Sequence, residues 1–306
     1  MYFCKFFKLY LLKMRISCYN MSASKFLLEL RIGLLGVYFC DYHIHSGFSF
    51  DGHQSIGDIC ETAIQRGIRE IAVTDHYDID GVIQAYYPPY YAEKAKKEIY
   101  ETKEKYKGKL IITHGIELGQ PHLYKKEAED FVKKYNFEFI IGSLHNLKGV
   151  PDFSFMRYDT MPEELCENLW LRSLDELYDM LSFEYIHTVG HITYPIRYMN
   201  RYGKDIDLKK YYDHIIKIYK KIIEKGICLE VNTSGLRQEM NSTLPNKELL
   251  CLYKECGGEL LTCGSDAHRS EHIGSGISAA YELIKETGFG YIAVYHGGKI
   301  EMIKIN

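Results

Sequence analysis

From residue 36 onward the chain alternates between short apolar runs and longer stretches with one apolar face. The short runs are GVYFCDY (36–42), IREIAVT (68–74), KLIITHGIE (109–117), FEFIIGS (137–143), YIHTVGH (185–191), GICLEVN (226–232) and ELLTCGS (259–265), with YIAVY (291–295) as an eighth candidate. Each is brief and rich in β-branched or aromatic residues, as strands buried on both faces are. Between them lie the helical patterns SIGDICETAIQRG (55–67), YAEKAKKEIYETKEKY (91–106), KKEAEDFVKKY (125–135), SLDELYDML (173–181) and DLKKYYDHIIKIYKKIIEKG (207–226). The first opens on a serine able to cap and closes on a glycine. No linker or low-complexity tract interrupts this rhythm. Regular strand–helix alternation predicts parallel strands joined by helical crossovers. Seven or eight such units fit a closed (β/α) barrel better than two open sheets.

Reactive residues recur where these strands end. His43 and His45 follow the first, His76 (in TDH) the second, and Glu117 ends the third. His145 follows the fourth and His191 ends the fifth. Arg237 (in NTSGLR) follows the sixth, and Asp266 and His268 (in GSDAH) follow the seventh. A barrel brings the C-terminal ends of its strands to one face, where catalysis is located. A histidine after a single strand is ordinarily a loop residue. The same feature at six strand ends predicts one polar cup.

The chemistry of that cup points to metal. Alternate residues of extended chain face one way, so His43 and His45 can bind the same ion. Mixed imidazole and carboxylate ligands suit Zn, Mn or Fe rather than Ca or Mg. With Asp75 of TDH the set has nine members, too many for one ion with about four protein ligands. Two or three divalent ions would use them all. Glu117 and Asp266 are the natural bridges, since each carboxylate has two oxygens.

Composition narrows the function. The net charge of −3 over 306 residues does not suggest a nucleic-acid binder. Nine cysteines without a C-x-x-C pair argue for free thiols in a reducing cytoplasm. Residues 1–36 are basic and apolar, but Lys5, Lys8, Lys13 and Arg15 break every apolar run well short of the ~18–20 residues a membrane span needs. MSAS is a poor cleavage site, and Met14 and Met21 are candidate internal starts. The expected organisation is a dispensable extension over 1–36 and a catalytic barrel over 37–306. His114 and His187 lie inside strands and are expected to be hydrogen-bonded core histidines, with His122, His214 and His272 at the surface.

The motifs H-x-H, T-D-H, G-x-E, S-x-H, G-H and S-D-x-H, in this order, resemble the PHP (polymerase and histidinol phosphatase) superfamily. The resemblance covers residues 37 to about 296. It implies a distorted seven-stranded β/α barrel with a trinuclear metal centre at the C-terminal ends of the strands. DYHIHSGFSFDGH, SLHNLKGVPDF and LEVNTSGLR are similar to its histidinol-phosphate phosphatase branch. That branch would hydrolyse L-histidinol phosphate to L-histidinol and phosphate in histidine biosynthesis. A phosphoesterase acting on nucleotides or other small phosphate esters is the alternative, and a nuclease-like module a more distant one.

The resemblance implies His43, His45 and Asp266 at a first metal, with Glu117 bridging to a second completed by His145 and His191. His76 and His268 would serve a third. Many members carry histidine six positions after the second histidine of H-x-H, where this chain has Asp51. Asp51 is the expected third-metal ligand and His53 its rival. Arg237 would grip the phosphate of a small phosphomonoester substrate, with Arg197 (in TYPIRY) as second candidate; the bland reading of Arg197 is a surface ion pair. Asp266, His268 and Glu117 are the implied catalytic groups.

Overall fold

The computed structural model describes residues 38–305. The 1–36 extension and its internal methionines therefore lie outside the described residues. The first turn of the chain's α/β rhythm runs from β1 (Phe39–Ile44) through α1 (Ile56–Gln65) to β2 (Ile68–Val73). Then come β3 (His76–Asp78), α2 (Ile79–Ile83), α3 (Ala92–Lys105), β4 (Ile111–Gly119), α4 (Lys125–Tyr135) and β5 (Phe139–Ser143). The second half holds α5 (Glu163–Met180), β6 (Thr188–Val189), α6 (Tyr194–Arg201), α7 (Tyr212–Lys225) and β7 (Cys228–Asn232). It continues with α8 (Lys247–Glu255), β8 (Leu261–Gly264), α9 (Ile277–Glu286), β9 (Tyr291–His296) and β10 (Lys299–Lys304).

Seven parallel strands pair in the order β1-β2-β4-β5-β6-β7-β8. The two edges then meet. Ile44 bridges Ala267 in parallel, and His45 N donates to Ala267 O at 2.9 Å. The result is a nearly closed barrel, as the alternation predicts. Two features were not anticipated. The short β3 attaches to the distal half of β4, with His76 opposite Glu117. The 291–295 run is a strand, but it pairs antiparallel with β10 in a separate hairpin and adds no eighth stave. Tyr295 ties that hairpin to the barrel, its backbone N donating to Tyr42 Oη at 2.7 Å and its hydroxyl to His187 O at 2.9 Å.

Local signals explain the element ends. Ser55 caps α1 by accepting from Asp58 N at 3.0 Å, and Asp58 answers the Ser55 hydroxyl at 2.7 Å; such a cap stabilises by roughly 1 kcal/mol. Gly226 stops α7 at φ 65°, a left-handed turn that glycine takes without a Cβ clash. The 173–181 pattern belongs to a longer helix that starts at Glu163, directly after Pro162. Buried isoleucines of α1, β1 and β2 interlock as one apolar layer between sheet and helices.

His187 is hydrogen-bonded as expected, its Nδ1 accepting from Ile140 N at 2.9 Å. His114 is not. It is fully buried between Phe137 and Tyr100, and neither ring nitrogen has a hydrogen-bond partner. His122 also departs from expectation, since both its ring nitrogens are buried. Burial, with Lys103 and Lys96 adding to it, depresses the His114 pKa to about 3. A histidine depressed when folded contributes stability above its unfolded pKa and loses it as pH falls below about 6.5. Near pH 5 that loss is about 2 kcal/mol. His114→Phe should therefore raise the Tm more near pH 5 than near pH 8. Equal shifts at both, by thermal denaturation, would show that the ring titrates normally.

Candidate active site

All nine ligand residues that the resemblance implies converge at the C-terminal ends of the barrel strands. Glu117, on β4, is fully buried at the centre. Its Oε2 lies 3.2 Å from His43 Nε2, 3.5 Å from His45 Nε2 and 3.0 Å from His76 Nδ1. Its Oε1 lies 3.1 Å from His145 Nε2 and 2.8 Å from His191 Nε2. Asp266 Oδ1 stands 3.5 Å from His45 Nε2 and 3.9 Å from His43 Nε2. At the outer side, Asp51 Oδ2 is 3.1 Å from His268 Nε2 and 3.7 Å from His76 Nε2. His53 is exposed and takes no part, although its backbone N reaches His268 O.

Ligand atoms close enough to share an ion fall into four overlapping groups: His45–Asp51–His76–His268, His43–His45–Asp266, His43–Glu117–His191 and His76–Glu117–His145. His145 and His191 both approach Oε1 of Glu117 while His43, His45 and His76 approach Oε2, so the groups overlap at this one carboxylate.

Backbone and neighbours aim these groups. Asp266 adopts φ 54°, unusual for a residue with a Cβ, and its N donates to His43 O at 2.8 Å. Strain of that kind persists at functional sites when surrounding contacts hold it. Gly264 is required beside it, since a Cβ there would fall 2.3 Å from His43 Cβ. Two carboxylates that sequence reasoning did not single out orient the imidazoles. Glu230 Oε1 is 2.6 Å from His43 Nδ1, and Asp78 Oδ1 is 2.6 Å from His145 Nδ1. A proton held on each Nδ1 leaves Nε2 as a lone pair facing the cage, as carboxylate–histidine–metal arrangements require. The only sequence sign of either residue was a carboxylate inside or directly after an apolar strand.

The electrostatics are those of interdigitated charge. Burial works against the His43 proton, yet Glu230, Glu117 and Asp266 outweigh it and hold its pKa well above the ordinary value. Burial likewise opposes ionisation of Glu117, but His43, His76 and His145 keep its carboxyl well below the usual range. His45 goes the other way, pushed down by burial and by His268 and His76. His43 Nε2, His45 Nε2 and Glu117 Oε2 are buried without a hydrogen bond of proper geometry. Unsatisfied buried polar atoms cost about 1–3 kcal/mol each. Cations at the centre of the cage would satisfy all three, so the donor set fits divalent metal ions.

Both arginines reach the cage rim. Arg237 Nη2 donates to Ser265 O at 2.8 Å and Asp266 O at 3.2 Å, while its Nη1 is buried and unpartnered. Arg197 is not a surface ion pair. It is buried, lies over the rings of Tyr194 and Tyr198, and donates to Ser234 Oγ at 2.8 Å and Asp266 Oδ2 at 3.5 Å.

A parallel barrel whose strand ends gather six imidazoles, three carboxylates and two guanidiniums defines a hydrolase that works with divalent metal. The chain belongs to the PHP domain family, whose profile matches residues 41–234. It is 30% identical over 267 residues to a probable histidinol-phosphatase of Thermotoga maritima, covering 87% of this chain and 99% of that protein. It is 29% identical over 268 residues to the histidinol-phosphatase of Lactococcus lactis, covering 86% and 97%. The crystal structure of the Lactococcus lactis histidinol phosphate phosphatase, complexed with zinc, L-histidinol and phosphate, is similar with a TM-score of 0.74 at 27% identity. That match covers 86% of this chain and 98% of the other. A putative histidinol phosphatase of Listeria monocytogenes, 22% identical with a TM-score of 0.70, shares the fold.

Proposed function

We infer that this protein is a histidinol-phosphatase, a phosphoric monoester hydrolase that releases L-histidinol and phosphate from L-histidinol phosphate. The observation that carries the reading is the nine-ligand cage with Arg237 and Arg197 at its rim. Relatives named for this activity, aligned over most of the chain, support it. Divalent cations held by the cage would supply Lewis-acid activation of water and of the phosphoryl group near neutral pH. His43, His45, Asp51, His76, Glu117, His145, His191, Asp266 and His268 are the residues to hold two or three of them, zinc, manganese or iron by ligand type. The protein itself supplies the rest. Arg237 Nη1 and Arg197 Nε, the donors each guanidinium has left, would serve the non-bridging phosphate oxygens.

We assign turnover to residues 37–306. No helix among the described residues is long and apolar enough to cross a membrane. The seven cysteines among them are all free, which supports our placement of the protein in a reducing compartment such as the cytoplasm.

The test is turnover of L-histidinol phosphate against a panel of nucleotide and sugar phosphates, with metal-free protein reloaded with zinc, manganese or iron. We expect L-histidinol phosphate to lead the panel and more than one ion per chain at full activity. A nucleotide or sugar phosphate in first place would overturn the substrate. Full activity with one ion or fewer would overturn the multinuclear cage.

A further inference from the structure

Gln120, the residue directly after β4, is fully buried, and both ends of its amide are engaged. Its Oε1 accepts from the backbone N of His145 at 2.8 Å. Its Nε2 shares two hydrogens among Asp80 Oδ1 at 2.9 Å, Asp78 Oδ1 at 3.2 Å and Asn146 Oδ1. Asp78 Oδ1 is the oxygen that stands 2.6 Å from His145 Nδ1. One side chain thus holds the ligand His145 twice, at its backbone and through the carboxylate that orients its ring.

The backbone of Gln120 serves the same centre. Its N donates to Ser143 O at 3.0 Å, and Ser143 Oγ in turn donates to Glu117 Oε1 at 2.6 Å. Gln120 adopts φ 50°, in the left-handed region that a residue with a Cβ rarely takes. Such a conformation persists where the surroundings over-determine it. The preceding residue makes room for the arrangement. A Cβ on Gly119 would fall 2.0 Å from Asp78 Oδ1, and β3 sets Asp78 opposite that glycine.

The position calls for an amide. The group must accept at one end and donate at the other, which neither an ionised carboxylate nor an apolar side chain can do. It must also be neutral, because a lysine would compete with His145 for the charge of Asp78. A neutral donor fixes the carboxylate and leaves its charge to the imidazole. That charge keeps the proton on Nδ1 and raises the basicity of Nε2, which faces Glu117 Oε1 at 3.1 Å.

We propose that Gln120 is a positioning residue of the metal centre, acting through Asp78 and His145 to set the affinity of the ion that His76, Glu117 and His145 can share. The inference rests on the divalent-metal reading of the cage and is independent of the substrate's identity.

The test compares parent, Gln120→Met, Gln120→Glu, Asp78→Asn and the Gln120→Met/Asp78→Asn double variant. Zinc is titrated into each metal-free protein against a chromogenic chelator, beside thermal denaturation and turnover of p-nitrophenyl phosphate. Methionine keeps the length and loses both amide functions. Glutamate keeps the acceptor for His145 N but turns an oxygen toward Asp78 and Asp80. We expect one zinc per chain to bind about 10- to 100-fold more weakly in both Gln120 variants, the range for groups lying behind metal-bound histidines. The accompanying loss should fall in kcat, with KM near the parent value, and excess zinc should restore it. Asp78→Asn should weaken the same ion. Adding it to Gln120→Met should cost little more, because residues that act through one another are not additive. Zinc affinities equal to the parent's in both Gln120 variants, with only the Tm lowered, overturn the proposal and leave the cage intact. Losses that multiply in the double variant also overturn it, since Gln120 would then act apart from Asp78. A parent that binds no zinc fails the cage itself and takes the proposal with it.

Discussion

Glu117→Gln is expected to lose turnover and metal together, with kcat/KM down by ~10³-fold or more and at least one ion per chain gone. Five imidazole nitrogens lie within 3.5 Å of the two oxygens of this one carboxylate. Ser143 Oγ donates to Oε1 at 2.6 Å, leaving Oε2 free of conventional partners. Glutamine matches the shape but exchanges one oxygen for an N–H₂ donor. That donor would point at ring nitrogens needed as lone pairs, and the charge balancing the cations would be gone. In a buried site such an imbalance is not screened by water. Metal analysis beside steady-state kinetics checks the prediction. Inactivity with undiminished metal would make Glu117 a proton-transfer group instead of a bridge.

The barrel and its cup were legible in the sequence for a physical reason. A strand buried on both faces must be almost wholly apolar, so a histidine or carboxylate at its end stands out, as in GVYFCDYHIH and KLIITHGIE. What stayed hidden depends on distance in space. His76–Asp78 is too short to carry a pattern, so β3 was invisible, although it places His76 against Glu117. KIEMIK is largely exposed and mixes charge with apolar residues, so nothing in it announced β10 or drew β9 out of the barrel. Asp78 and Glu230 are ordinary carboxylates until folding sets them 2.6 Å from imidazole nitrogens. The approach of His145 and His191 to one oxygen of Glu117, and of His43, His45 and His76 to the other, is likewise fixed by how the strand ends are staggered.

Arg237→Ala is expected to keep its fold and metals but lose ~10²-fold or more in kcat/KM, the scale of a lost oxyanion donor. The two arginines differ in what they have left to give. Arg197 spends Nη1 on Ser234 and Asp266 and Nη2 on the Tyr198 hydroxyl, leaving only a buried Nε without a partner. Arg237 anchors Nη2 on the carbonyls of Ser265 and Asp266 and keeps Nη1 unengaged. Those carbonyls belong to the turn that carries the Asp266 ligand, so the fork is held in register with the cage. Burial lowers its pKa, with Asp266 and Asp41 opposing. A guanidinium starts so far above neutrality that it stays charged. Phosphate oxygens gain negative charge as the ester bond breaks, so a fixed cation there favours the transition state over the bound substrate. Arg237→Lys should recover only part of the loss, because an ammonium cannot keep both carbonyl anchors and still offer a second donor. The deficit should be equal for L-histidinol phosphate and p-nitrophenyl phosphate, since Arg237 would read the phosphate they share. Parent-level kcat/KM in Arg237→Ala would remove it from the phosphate site and leave Arg197 as the remaining candidate.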